Sequence, residues 1–186
     1  VPCGCLWLDF GNGAGWAMTT HGRVLLSLSS GIAALAWNAQ VLADASDISL
    51  SEADKLAVFK AAGAVQRKGV WLICADDPNP TGASIETVRD LNGDGRTEAV
   101  VTEGGTFCYG HTGMGYRLLS KEADGKWRVM SGGIGIPEFL QSKGVGGWPD
   151  ISVGGPGFCF PVQRWNGKAY ALNRFEYEGK RCKPPR

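Results

Sequence analysis

Apolar positions recur along this chain with two different periods. After Ser49-Leu-Ser-Glu52, the residues Ala53, Leu56, Ala57 and Lys60 follow at helical spacing. A Ser-x-x-Glu ahead of such a run is a capping-box pattern, and Gly63 is a good stop, so the spacing predicts one helix over residues 50–62. Beyond it, period-two and β-branched segments take over. Residues 64–67 and 70–74 flank the two-residue turn Lys68-Gly69, and 85–89 and 98–102 flank a carboxylate-rich loop. Residues 116–120 and 126–130 flank Ala123-Asp124-Gly125, and 163–165 and 168–172 flank Asn166-Gly167, the strongest short hairpin signal. Glycine-rich stretches separate these pairs at 132–137, 144–149 and 154–157, and read as tight turns and close strand crossings. The pattern predicts a mainly β fold, an antiparallel hairpin meander (propeller-like or sandwich) with one N-terminal helix. No repeat period is clean enough to count blades.

The residues ahead of that helix carry a different signal. Met18-Thr-Thr-His-Gly-Arg23 is a short polar stretch with one firm positive charge, followed by an apolar run over 24–37 and by Ala43-Asp44-Ala45. This order matches a secretory signal peptide over 18–45, cut before Ser46. At ~1.5 Å per residue the apolar run reaches about 21 Å, short of a ~30 Å hydrocarbon core, so no membrane span is expected. Residues 1–17 then lie upstream of the start, and 46–186 form a single exported β-rich domain.

Composition narrows the function. Lys plus Arg is 19 and Asp plus Glu is 18, a net charge of +1, which argues against nucleic acid as a partner. The 28 glycines, about twice the usual ~7%, fit a loop-rich β protein. Past residue 45 the cysteines are Cys74, Cys108, Cys159 and Cys182, an even set that reads as two disulfides in an exported chain. Three pairings are possible. Cys108 and Cys159 each sit in a Phe-Cys-aromatic triplet of an expected strand, which favours Cys108–Cys159 in the core and Cys74–Cys182 tying down the tail. Zinc ligation would need clustered spacing that this sequence lacks.

One motif carries chemistry. Asp90-Leu-Asn92-Gly-Asp94-Gly95-Arg96-Thr-Glu98 spaces oxygen-bearing side chains along a tight loop, as hard cations require. Asp90, Asn92 and Asp94 would supply side-chain oxygens, Arg96 its backbone carbonyl, and Glu98 would close the site, with Gly95 permitting the reversal. Three carboxylates so close repel one another without a cation, which makes Ca²⁺ the expected cofactor. The stretch resembles the calcium loops of EF-hands and dockerins, and more closely those of FG-GAP and VCBS-type repeats. The EF-hand pattern breaks at Val101, where a bidentate glutamate would stand. The FG-GAP-like resemblance implies a calcium loop leading into a β-strand at Ala99-Val-Val-Thr102.

A second resemblance spans much of the exported part. The single carboxylate loop, Cys108-Tyr109-Gly110, Gly147-Trp148-Pro149-Asp150-Ile151 and Trp165-Asn166-Gly167-Lys168 are similar to small exported bacterial β-domains. These include periplasmic I-type lysozyme inhibitors and envelope immunity proteins. The resemblance implies a monomeric periplasmic or secreted inhibitor whose partner is an envelope protein, a peptidoglycan hydrolase among the candidates. Trp148, in a Gly/Pro loop, is the expected contact residue, with His111 and Tyr109 beside it.

Enzymatic alternatives are thin. His111 is the one histidine past residue 45, and no H-E-x-x-H, G-x-S-x-G or phosphate-loop motif occurs. A carboxylate-based hydrolase would draw its pair from Glu103, Glu138 and Asp150. A glycan-binding module would use Trp148.

Overall fold

The computed structural model describes residues 49–184, so the expected leader and the residues upstream of Met18 lie outside the described residues. The helix forms as α1, Glu52–Ala61, but its cap sits two residues later than the sequence pattern suggests. Ser51 is the N-cap: its hydroxyl accepts the Asp54 N–H at 3.1 Å and donates to the Asp54 carboxylate at 3.0 Å. Asp54 wins over Glu52 as the reciprocal partner because its carboxylate is fixed from the other side, by Lys121 Nζ at 2.8 Å and Trp127 Nε1 at 3.3 Å. Gly63 follows at φ +81°, in the left-handed region that favours glycine at a helix stop.

Every hairpin read from the pattern is present. Val65–Arg67 (β1) pairs with Val70–Leu72 (β2), and Ala83–Arg89 (β3) with Glu98–Gly104 (β4). Met114–Lys121 (β5) pairs with Trp127–Ile134 (β6). Ile136–Lys143 (β7) pairs with Pro149–Gly154 (β8), a hairpin the pattern did not show, and Phe160–Trp165 (β9) with Tyr170–Tyr177 (β10). A two-residue strand, Lys180–Arg181 (β11), ends the series. All pairings are antiparallel. Beside the small β1–β2 hairpin they make two sheets, β3-β4-β5-β6 and β11-β10-β9-β8-β7. A half-barrel curl accompanies the meander, in keeping with bulges that break register in β3, β6, β7 and β10.

The four-stranded sheet is covered on both faces. Ala99, Val101, Leu119 and Trp127 pack against Leu50, Val58 and Ala62 of the helical region. The opposite face presents Val100, Leu118 and Met130 to Trp148, Ile151 and Trp165 of the five-stranded sheet. Strand alternation explains the split, since Ala99 and Val101 point one way and Val100 the other. The result is two packed sheets with a helix on one side, the sandwich form of the expected meander. Among the described residues no helix is long and apolar enough to cross a membrane.

The cysteine pairing corrects the sequence expectation. The bonds are Cys74–Cys108 and Cys159–Cys182, not Cys108–Cys159 and Cys74–Cys182. Neither central cysteine lies in a strand. Cys108 sits in a single helical turn, Thr106–Tyr109 (α2), and Cys159 precedes β9 with φ +73°. Each bond therefore pins a loop to a neighbouring chain segment near the surface. Disulfides form and persist in oxidising compartments, so the pair places the domain in an extracytoplasmic setting.

Candidate functional site

The carboxylate loop joins β3 to β4 and folds on its own backbone. Asp90 accepts the Gly93 N–H at 2.7 Å, the Asp94 N–H at 3.3 Å and the Gly95 N–H at 2.8 Å. Asn92 accepts the Asp94 N–H at 3.0 Å and donates to Asp94 at 2.9 Å; Asp94 in turn accepts the Arg96 N–H at 2.9 Å and the Arg96 guanidinium at 2.5 Å. These are successive Asx turns, in which a short side chain satisfies the backbone two or three residues on. Burial opposes the charge on Asp94, but the Asn92 amide and Arg96 outweigh it and lower its pKa.

Glu98 stands apart. Its side chain is buried at the start of β4, accepting the Leu91 N–H at 2.7 Å and the Ser120 hydroxyl at 2.8 Å. Desolvation pushes its pKa up; the two hydrogen bonds pull against that, and the charges of Asp94 and Asp90 add to the rise. Asp90, Asn92, Asp94, Arg96 and Glu98 are thus gathered in one loop and its exit. Among the described residues no group of three or more His, Cys, Asp or Glu side chains is arranged as a metal cage. The donor set is all hard oxygen and suits Ca²⁺ in chemistry. In this arrangement, however, Arg96 supplies the positive charge at Asp94, and Glu98 faces Leu91 and Ser120.

The three expected contact residues divide. Trp148 is 7% exposed, set between Trp165 and Tyr170 in the inter-sheet core, with ring centroids at 6.0 and 6.3 Å. Its Gly/Pro surroundings reflect tight packing, since a Cβ on Gly144 would meet the Trp165 carbonyl oxygen at 2.3 Å. Tyr109 is also 7% exposed, and its hydroxyl donates to Glu103 at 2.5 Å. Burial and this anionic partner raise the Tyr109 pKa. His111 alone is exposed, in the 3-10 turn Gly110–Thr112.

The hydrophobic surface lies elsewhere, at residues the sequence reading passed over. Phe107 is 62% and Phe158 70% exposed, and each immediately precedes a disulfide cysteine. Their loops meet, because a Cβ on Gly155 would lie 3.3 Å from the Thr112 hydroxyl oxygen. Phe158 packs edge-on against the exposed Tyr177, with centroids at 6.0 Å. The signal was present in the two Phe-Cys pairs inside glycine-rich stretches, where strand alternation could not bury the aromatic ring.

The hydrolase carboxylates are committed to other work. Glu103 accepts N–H groups of Ile73 at 3.1 Å and Cys74 at 2.7 Å besides the Tyr109 hydroxyl, which ties the Cys74–Cys108 region to β4. Asp150 is buried on the outer face of the five-stranded sheet. It accepts two bonds of 2.8 Å from Arg164, and one bond of 2.6 Å each from Arg174 and Ser142. Desolvation disfavours its charge, but Arg164, Ser142 and Arg174 together hold its carboxyl well below the usual range. A group so held is a poor proton donor. Glu138 is exposed on β7, opposite Ser152 of β8. Glu103 and Asp150 lie on opposite outer sides of the two packed sheets, so they cannot flank one bond.

No protein-family model matches the chain, and neither a curated protein nor a solved structure matches it.

Proposed function

We propose that residues 46–186 act outside the cytoplasm, in the periplasm or after secretion, as a monomeric binding domain that inhibits an envelope protein, a peptidoglycan hydrolase being the leading class. The observation that carries this reading is the pair of touching loops that carry the exposed Phe107, His111 and Phe158. Loops hold function best when a rigid scaffold positions them. Here the Cys74–Cys108 and Cys159–Cys182 bonds and the Glu103–Tyr109 hydrogen bond supply that rigidity. Preorganised aromatic anchors lose little entropy on binding and dominate interface energetics. The surface thus replaces Trp148 and Tyr109 with Phe107 and Phe158 and retains His111.

The carboxylate loop is the second part of the proposal. Asp90, Asn92, Asp94, the Arg96 carbonyl and Glu98 would hold a structural Ca²⁺, which would supply the charge that Arg96 now gives Asp94. Support comes from the oxygen-only donor set and from the buried Glu98, whose ionisation the neighbouring Asp90 and Asp94 disfavour.

The test is inhibition of a purified muramidase-type hydrolase by the oxidised domain. Saturable inhibition that is lost in the Phe107→Ser/Phe158→Ser double variant is expected. Undiminished hydrolase activity at high micromolar domain, across muramidase, amidase and endopeptidase types, would reject the inhibitor reading.

A further inference from the structure

We propose that an apolar pocket between the two sheets, at the edge where β3 faces β7, binds a small amphiphile with an alkyl body and a primary ammonium head. The cavity measures about 370 Å³, within the ~300–1,000 Å³ usual for ligand pockets. Val100, Thr102 and Met114 of β4 and β5 form one wall, and Ile136, Pro137 and Phe139 of β7 the other. Glu86 and Thr87 line it from β3. Both β3 and β7 are edge strands of their sheets, so the inter-sheet core is left open here.

A bulge aims the polar groups. Pairing slips between Ile85 and Thr87, leaving Glu86 as the extra residue and setting Thr87 opposite Val100. Ile85 and Val88 both pack with the helix-side core, so without the slip Thr87 would follow Ile85 to that face. The inserted residue turns Thr87 to the opposite face, where it lines the pocket. Glu86 is the sole charged residue of the lining. Among the described residues only the Ser84 hydroxyl donates to it, which leaves its carboxylate able to take further N–H donors.

The ligand chemistry follows. The apolar walls favour a hydrocarbon body, and Glu86 favours a cationic donor over a neutral or anionic head. The Arg89 guanidinium stacks over the Phe139 ring at 5.7 Å and lines the neighbouring groove rather than this one. With Val100, Met114, Ile136, Pro137 and Phe139 walling it on two sides, the pocket suits an alkyl chain more than the short stem of a partner's lysine. This site does not depend on the proposed inhibitor role.

A matched series of probes tests it: octylamine, octan-1-ol and octanoate, below their aggregation concentrations at pH 7, titrated into methyl-labelled oxidised protein and followed by NMR. Saturable shifts at the Val100, Met114 and Ile136 methyls are expected, with octylamine binding up to about fivefold more tightly than octanol, since Glu86 is exposed, and octanoate weakest. Glu86→Gln should erase the amine preference while octanol binding persists. Thr87→Trp, on an edge strand, should fill the pocket and weaken all three. Octylamine that leaves those methyls unmoved, or an amine preference that survives Glu86→Gln, would overturn the site. A capped lysine amide binding as tightly as octylamine would overturn the assignment to a free amphiphile.

Discussion

A Cβ on Gly147 would stand 2.4 Å from the main-chain oxygen of Asn92, so the turn ahead of Trp148 seats directly on the carboxylate loop. Gly147 also has φ +78°, a conformation that costs other residues ~1–3 kcal/mol. Gly147→Ala therefore meets two penalties, backbone strain and a clash that only movement of the loop relieves. A lowered urea midpoint is expected, reporting a loss of unfolding free energy above the ~1 kcal/mol typical of a point substitution. Hydrogen exchange at Gly93, Asp94 and Gly95 should quicken in the same variant.

If the loop takes Ca²⁺, free calcium a hundredfold above the dissociation constant adds about 2.7 kcal/mol, several degrees of melting temperature, and Asp94→Ala abolishes the gain. Glu98 tests the same loop from beneath. Its pKa is raised in the fold, so its ionisation costs stability once pH climbs past the unfolded value near ~4.3 and the folded value above it. Glu98→Gln can still accept from Leu91 and donate to Ser120. In chelator it should be more stable than wild type at pH 7, with the difference fading near pH 4, and it should lose the calcium response. Differential scanning calorimetry with calcium and with chelator measures both.

Asp150 should show the opposite dependence. Its pKa is lowered in the fold, so its contribution is present above the unfolded value near ~3.9 and is lost as pH falls toward the folded value below it. Asp150→Asn leaves the Arg164 guanidinium without a carboxylate, while Arg174 keeps Glu176. Breaking one side of a buried pair costs ~3–5 kcal/mol, and the partial exposure of Arg164 places this case at the lower end. Urea unfolding from pH 7 to pH 2 should show the wild type losing stability below about pH 4, and the variant losing less there.

Peptide mapping of non-reduced protein should recover the fragments joining Cys74 to Cys108 and Cys159 to Cys182. With sequence separations of 34 and 23, removing either bond should cost about 3–4 kcal/mol in the chain-entropy model. Replacing Cys159 and Cys182 by Ala should leave the Cys74–Cys108 fragment intact.

The aromatic residues should separate binding from stability. Phe107→Ser and Phe158→Ser remove exposed rings, so melting temperature should shift little while hydrolase inhibition falls tenfold or more in the double variant. Trp148→Ala should do the reverse, losing about 3–5 kcal/mol of stability through a core cavity.

Neighbouring residues alone set the local structure. Lys68-Gly69, Asp124-Gly125 and Asn166-Gly167 each hold a turn between two short alternating runs, so hairpins form between neighbours whatever lies across the core. Helix α1 was legible for the same reason, apart from its cap, where the distant Lys121 and Trp127 fix Asp54. The Asp90–Glu98 loop was legible as a tight, carboxylate-rich turn because Asx side chains satisfy their own backbone. Tertiary structure decided the rest. Trp148 is buried because its loop folds between the sheets, and no property of Gly-Gly-Trp-Pro states which side faces water. Cysteine pairing depends on which loops converge in space: Cys108 and Cys159 share a sequence triplet but each lies near a different partner. The burial of Glu98, Glu103 and Asp150 has the same origin, since a carboxylate is stable inside only where donors from other strands meet it. For Asp150 those donors are Ser142, Arg164 and Arg174, residues that lie on three different strands and become neighbours only when the five-stranded sheet assembles.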